Sequence, residues 1–165
     1  MNRRLSILKG LPLQTFFRAS NMLEIGFGDI VKEKNLRKEI VDVAQYRIHV
    51  QCPWRFVLGK KIIVASEDIY LPCSTIKWSD DFDWDVFGNN LFDELCEQEM
   101  YKLLQKIFVE DVILEQFGGL SIVFSSRYML QILPVTSNNE SELWRFFKSG
   151  AKHHFVRYID RIEKE

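Results

Sequence analysis

An α+β fold, a mainly antiparallel sheet with one principal helix packed on it, is the class that this sequence predicts. Three observations carry the expectation. Apolar and polar residues alternate strictly over several stretches, most cleanly from Tyr46 to Phe56; one stretch, about 89–107, has helical spacing instead; and turn residues such as Leu58-Gly59-Lys60 and Gly118-Gly119 separate short apolar runs.

With 165 residues, 47% of them hydrophobic, the chain is long enough for one buried core and short for two, so a single domain over 1–165 is expected. Thirteen Phe and four Trp put rings at the centre of that core.

In chain order, Met1-Asn2-Arg3-Arg4 is basic, but Lys9, Gly10 and Pro12 break up the next residues before an apolar run of signal-peptide length can form. Leu13 to Arg18 and Met22 to Phe27 read as paired strands. Leu36 to Ala44, led by Asn35 as a cap, reads as a short helix. The alternation of Tyr46, Ile48, Val50, Cys52, Trp54 and Phe56 with Arg47, His49, Gln51, Pro53 and Arg55 describes one long strand, with Pro53 marking an edge or a bulge. Leu58-Gly59-Lys60 then turns the chain into Lys61 to Ala65 as a hairpin.

The principal helix comes next, capped by Asn89 or Asn90. Phe92, Cys96, Met100, Leu103, Leu104 and Ile107 form its apolar stripe, with Asp93 and Glu94 in the first turn and Lys102 and Lys106 in the last, as the helix dipole favours. Short strands resume at Val112 to Gln116, Leu120 to Phe124 and Met129 to Val135. Thr136 to Ser141 is a polar loop before Leu143 to Phe147 and His153 to Tyr158, and Arg161 to Glu165 reads as frayed helix or tail.

Met22-Leu23-Glu24-Ile25 leading to Trp54-Arg55-Phe56-Val57 is echoed by Met129-Leu130-Gln131-Ile132 leading to Trp144-Arg145-Phe146-Phe147. Two readings stand: a pair of repeated β-meander halves, or aromatic strands recurring by composition alone.

Charge is segregated. Between Glu67 and Glu99 there are ten carboxylates and one basic residue, Lys77, a net −9, while the rest of the chain carries +8. Such a field steers a cationic partner toward one face. Its densest part holds Asp80, Asp81, Asp83 and Asp85, interleaved with Trp78, Phe82, Trp84 and Phe87. Those aspartates fail the calcium-loop template, lacking a central Gly and a closing Glu, so no metal and no cofactor is expected. The candidate partner-binding residues are therefore Asp80, Asp81, Asp83 and Asp85, with Trp78 and Trp84 as anchors.

The rival is catalysis, by a small hydrolase or nuclease using His49 with Arg47 and Arg55 on the polar face of the long strand. No phosphate-cradling loop, basic helix or aromatic-basic signature points to nucleic acid. No apolar run approaches the roughly 18 residues that span a bilayer. Cys52, Cys73 and Cys96, an odd set with no C-x-x-C pair, read as buried free thiols in a reducing, cytoplasmic setting.

The segments His49-Val50-Gln51-Cys52-Pro53-Trp54-Arg55, Glu67-Asp68 and Glu142-Leu143-Trp144-Arg145-Phe146 resemble a pattern in small bacterial proteins, some of them similar to the immunity proteins that accompany polymorphic toxins. The resemblance covers about a third of the chain and brings no ligand residues with it. It implies tight binding and blockade of a cognate toxin, and a cationic nuclease would suit the acidic segment.

Overall fold

The structure, a computed structural model, describes residues 2–35, 37–79 and 81–164, with the backbone alone described for Asn2 and Arg3. Among the described residues, eleven strands form two antiparallel sheets. The first three are β1 (Leu13–Ala19), β2 (Met22–Lys34) and β3 (Ile40–Val50), a meander in a six-stranded sheet. The chain then crosses to a five-stranded sheet for the hairpin β4 (Trp54–Leu58) and β5 (Lys61–Ala65), whose turn is Gly59-Lys60 as the sequence predicts. A 3-10 turn (Ser66–Tyr70) and an acidic loop lead to a helix capped by Asn90, which runs over Leu91–Leu95 and continues as a π turn over Cys96–Met100. It is shorter than the periodicity predicts and ends well before Ile107.

A second meander, β6 (Val109–Leu114), β7 (Leu120–Phe124) and β8 (Tyr128–Ile132), lies in the five-stranded sheet. The chain crosses back for β9 (Trp144–Lys148), β10 (Phe155–Arg157) and β11 (Ile162–Lys164). The strand orders, β1-β2-β3-β9-β10-β11 and β5-β4-β8-β7-β6, make the two halves equivalent except for β11, which has no counterpart beyond β5. Each half builds a three-stranded meander in one sheet and gives the strands that follow to the other, β4 and β5 from the first half and β9, β10 and β11 from the second.

The register repeats as well. Trp144 pairs with Val50, the last residue of one meander, and Trp54 with Ile132, the last residue of the other. Gln51 N donates to Leu143 O at 2.9 Å, and Leu133 N donates to Pro53 O at 2.7 Å, so the two crossings are stitched together reciprocally. Leu23, Ile25 and Phe27 of β2 correspond to Leu120, Ile122 and Phe124 of β7, and the rings of Phe27 and Phe124 stack at 6.3 Å. Tyr46 stacks on Phe146 as Tyr128 stacks on Phe56. The echo is structural repetition, though the Met22 segment is equivalent to β7 and not to the Met129 segment in β8.

Buried residues of both sheets and the helix form one cluster, in which Phe16 meets Trp54 and Phe56 edge-on and lies against Phe92. Burying each large ring contributes roughly 1.5–3 kcal/mol relative to exposure, so this aromatic contact between sheets and helix is a principal source of cohesion.

Three expectations are corrected. The stretch Tyr46–Phe56 is two strands in different sheets, broken at Gln51-Cys52-Pro53, because both sheets point their apolar faces at the same core and the alternation keeps its phase through the crossing. The expected helix over 36–44 is strand from Ile40 onward; its first residue, Leu36, lies outside the described residues. The C-terminal segment is strand β11, paired with β10 through Phe155–Lys164 and Arg157–Ile162, not frayed helix.

The distal part of the β2–β3 hairpin is a two-stranded ribbon that neither β1 nor β9 flanks. A bulge sets Gly28 and Asp29 opposite the single residue Gln45, with Gly28 at φ +82°, a conformation that only glycine adopts without strain. The bend is large. Glu33 is in register with Val41, six positions from Arg47, about 20 Å along a straight strand. Its carboxylate nevertheless meets Arg47 Nη2 at 2.5 Å, so the ribbon curls back over the sheet.

Candidate functional site

The acidic loop is a built structure. Its organiser is Arg18 at the end of β1, whose Nε and Nη2 donate to Asp93 Oδ1 and Oδ2, each at 2.9 Å. Both side chains are buried, with 5% and 3% of their surface exposed. The same guanidinium reaches into the loop, donating to Asp85 Oδ1 at 3.2 Å and to Asp85 O at 3.3 Å. Its bond to Asp93 holds Arg18 above the ordinary arginine pKa, against the effect of burial.

Asp93 also accepts from Gly88 N at 2.9 Å, and Asn90, besides capping the helix through Asp93 N, donates to Trp84 O at 2.8 Å. Asp83 accepts from Asp85 N at 3.0 Å. These contacts fix the path of residues 83–90 before any partner arrives, and a surface already ordered avoids part of the entropic cost of association.

Of the residues singled out in the sequence, Asp81, Asp83 and Asp85 are exposed on this loop, and Asp80 lies outside the described residues. Asp85 is the one tied to the chain's own arginine. The two tryptophans part company. Trp78 is 67% exposed, its ring near that of Phe82, whereas Trp84 is half-buried against the core and meets Tyr70 edge-on at 5.2 Å. Phe87 is 70% exposed, and its chain neighbour Val86 is exposed as well.

Next to Phe87 a cleft of about 260 Å³ opens between Cys73-Ser74-Thr75 and the helix residues Glu94 and Glu97. Glu94 accepts from Ser74 N at 2.7 Å and from Ser74 Oγ at 2.5 Å, bonds that hold its carboxyl below the usual range and so keep it charged. Arg18 was invisible as a site residue in the sequence, standing 75 positions from Asp93 with no local pattern to join them.

The rival constellation divides. Arg55 sits on the five-stranded sheet and donates to Gln131 Oε1 at 2.8 Å, while Arg47 and His49 share a face of the six-stranded one. His49 instead has Glu24 for a neighbour, its Nε2 2.8 Å from Glu24 Oε2 without a hydrogen bond between them. Around them the Phe147 ring is stacked by His154 at 4.1 Å, met edge-on by His49 and overlaid by the Arg47 guanidinium.

Among the described residues, no group of three or more His, Cys, Asp or Glu side chains converges as a metal site. The described cysteines are free; burial pushes the Cys52 thiol up to about 12 and the Cys96 thiol upward as well. No helix among the described residues is long and apolar enough to cross a membrane.

Set beside known proteins, the chain matches no family model, no curated protein and no solved structure.

Proposed function

We propose that this protein is a non-enzymatic binding module, an immunity-type inhibitor that holds a cationic, nuclease-like toxin through its acidic aromatic loop. One observation carries the reading: Trp78 and Phe87 stand exposed among Asp81, Asp83 and Asp85 on a loop that Arg18 and Asp93 pin in place. Exposed rings lose hydration on docking and supply the affinity, while surrounding carboxylates quicken encounter and reject anionic competitors. Phe87 takes the anchoring role that the sequence offered to Trp84, since Trp84 is spent on the protein's own packing.

The test is association with the product of a toxin-like reading frame beside the gene, measured by stopped flow at about 20 and 200 mM salt. Exchange of Asp80, Asp81, Asp83 and Asp85 for Asn is expected to slow association about tenfold or more at low salt and to lower the melting temperature by no more than about 4 °C, the share of the exposed Arg18–Asp85 contact. Trp78→Ala is expected to raise the dissociation rate instead. An association rate that ignores both salt and the four substitutions removes the acidic face from the account. A neighbouring frame with no cationic protein removes the immunity reading.

A further inference from the structure

The curled ribbon leaves a groove of about 680 Å³ against the six-stranded sheet, remote in sequence from the acidic loop. Its base holds Arg47, His49 and Phe147, its far wall is the Gly150-Ala151 segment, and Glu33 and Lys34 hang over it from the ribbon. Five buried side-chain polar atoms among the described residues have no hydrogen-bond partner, and one of them, Arg47 Nε, belongs to a residue lining this groove; His49 Nε2, another of the five, already has the Glu24 carboxylate 2.8 Å away. A buried donor left unsatisfied is costly, and such groups are normally met by protein, water or ligand.

The structure also shows what the Arg47 guanidinium pairs with. Glu33 places a carboxylate oxygen 2.5 Å from Arg47 Nη2, and Glu24 stands 3.8 Å from Nη1. The Nε edge is left over. Lys34, the next residue on the ribbon, is exposed and takes part in none of the ion pairs of the described residues.

From this geometry we propose that the groove binds a small oxyanion, a carboxylate or a phosphate, held on the Nε edge of Arg47, with Lys34 closing over it and Glu33 acting as a tethered competitor. The guanidinium fork suits a two-oxygen ligand, and its desolvation in the groove strengthens the bond. Ligand and Glu33 contend for one cation. Removing the Glu33 charge must therefore tighten binding, an effect that a purely structural ion pair would not produce.

The experiment is isothermal titration of the full chain with inorganic phosphate in one arm and acetate in the other, with the Arg47 Nε–H signal followed by nuclear magnetic resonance. Saturable binding is expected in at least one arm, and the arm that saturates identifies the ligand class. Arg47→Met is expected to weaken it about tenfold or more and Glu33→Gln to tighten it about threefold or more. Should Arg47→Met fail to fold, exposed Lys34→Ala serves in its place, with a weakening of about twofold or more expected. The proposal is overturned by no saturation in either arm, by affinity unchanged in Arg47→Met or, in its place, Lys34→Ala, or by affinity unchanged or weakened in Glu33→Gln.

Discussion

Replacing Arg18 by Met tests the organiser of the acidic loop directly. The substitution keeps an unbranched apolar stem and deletes the guanidinium, leaving the Asp93 carboxylate, 3% exposed, without a counter-ion and with the backbone Gly88 N–H as the remaining donor to it. Removing one partner of a buried ion pair costs about 3–5 kcal/mol, because the other charge stays in a poorly polarisable setting. The contact to Asp85, whose side chain is 55% exposed, adds at most about 1 kcal/mol.

For a domain of this size the loss corresponds to a fall in melting temperature of about 6–20 °C. Urea denaturation of Arg18→Met, Asp93→Asn and the double variant measures it. The double variant should be more stable than Arg18→Met alone, since it buries no unpaired charge. A cost below about 1 kcal/mol for Arg18→Met, or a double variant no better than that single one, refutes the argument that this pair sustains the loop.

Gly118→Ala forces φ +83° on a residue with a side chain and puts a Cβ 2.4 Å from Leu143 Cδ1. A loss of about 1–3 kcal/mol is expected in thermal melts, and an unchanged melting temperature contradicts the packing described around Trp144, whose Nε1 donates to Gly118 O. Asp68 is a half-buried carboxyl whose pKa burial raises, with Ala65 N opposing and Glu67 adding to the rise. The fold thus prefers it protonated, and the associated stability is present below the ordinary aspartate pKa of about 3.9 and lost as pH climbs through the raised value. Asp68→Asn should therefore gain on the wild type between about pH 4 and 7, as read from paired melts, and a gap that stays constant or narrows contradicts the shift.

What could be read in the sequence was local. The Gly59-Lys60 turn, the pairing of Leu13–Arg18 with Met22–Phe27 and the Asn90 cap each rest on residues a few positions apart, where spacing and turn chemistry are visible. The crossing at Pro53 was not visible, because Val50 and Trp54 face one core from different sheets without breaking the alternation. The ribbon was misread for a related reason. Flanked by no other strand, it has little pressure toward a clean inside and outside, and Ile40 is exposed.

At the candidate site the charge pattern marked the right loop, but which rings face water depends on partners that the local sequence does not reveal. Trp84 has Tyr70 and the core; Trp78 has water and Phe82. Arg18 escaped notice because an arginine at a strand end looks like any solvated charge until its distant carboxylate is known.

The reciprocal exchange of hairpins interlocks the molecule. Since β4 must find β8 and β9 must find β3, pairing residues 70 to 102 positions apart, neither meander acquires its outer neighbours until both have been made. A nascent chain ending before Trp144 holds one sheet open along the β3 edge. The protein is in effect a duplex of two arms clasped by their own linker, and its assembly resembles the docking of two fragments more than the closing of a single hairpin stack.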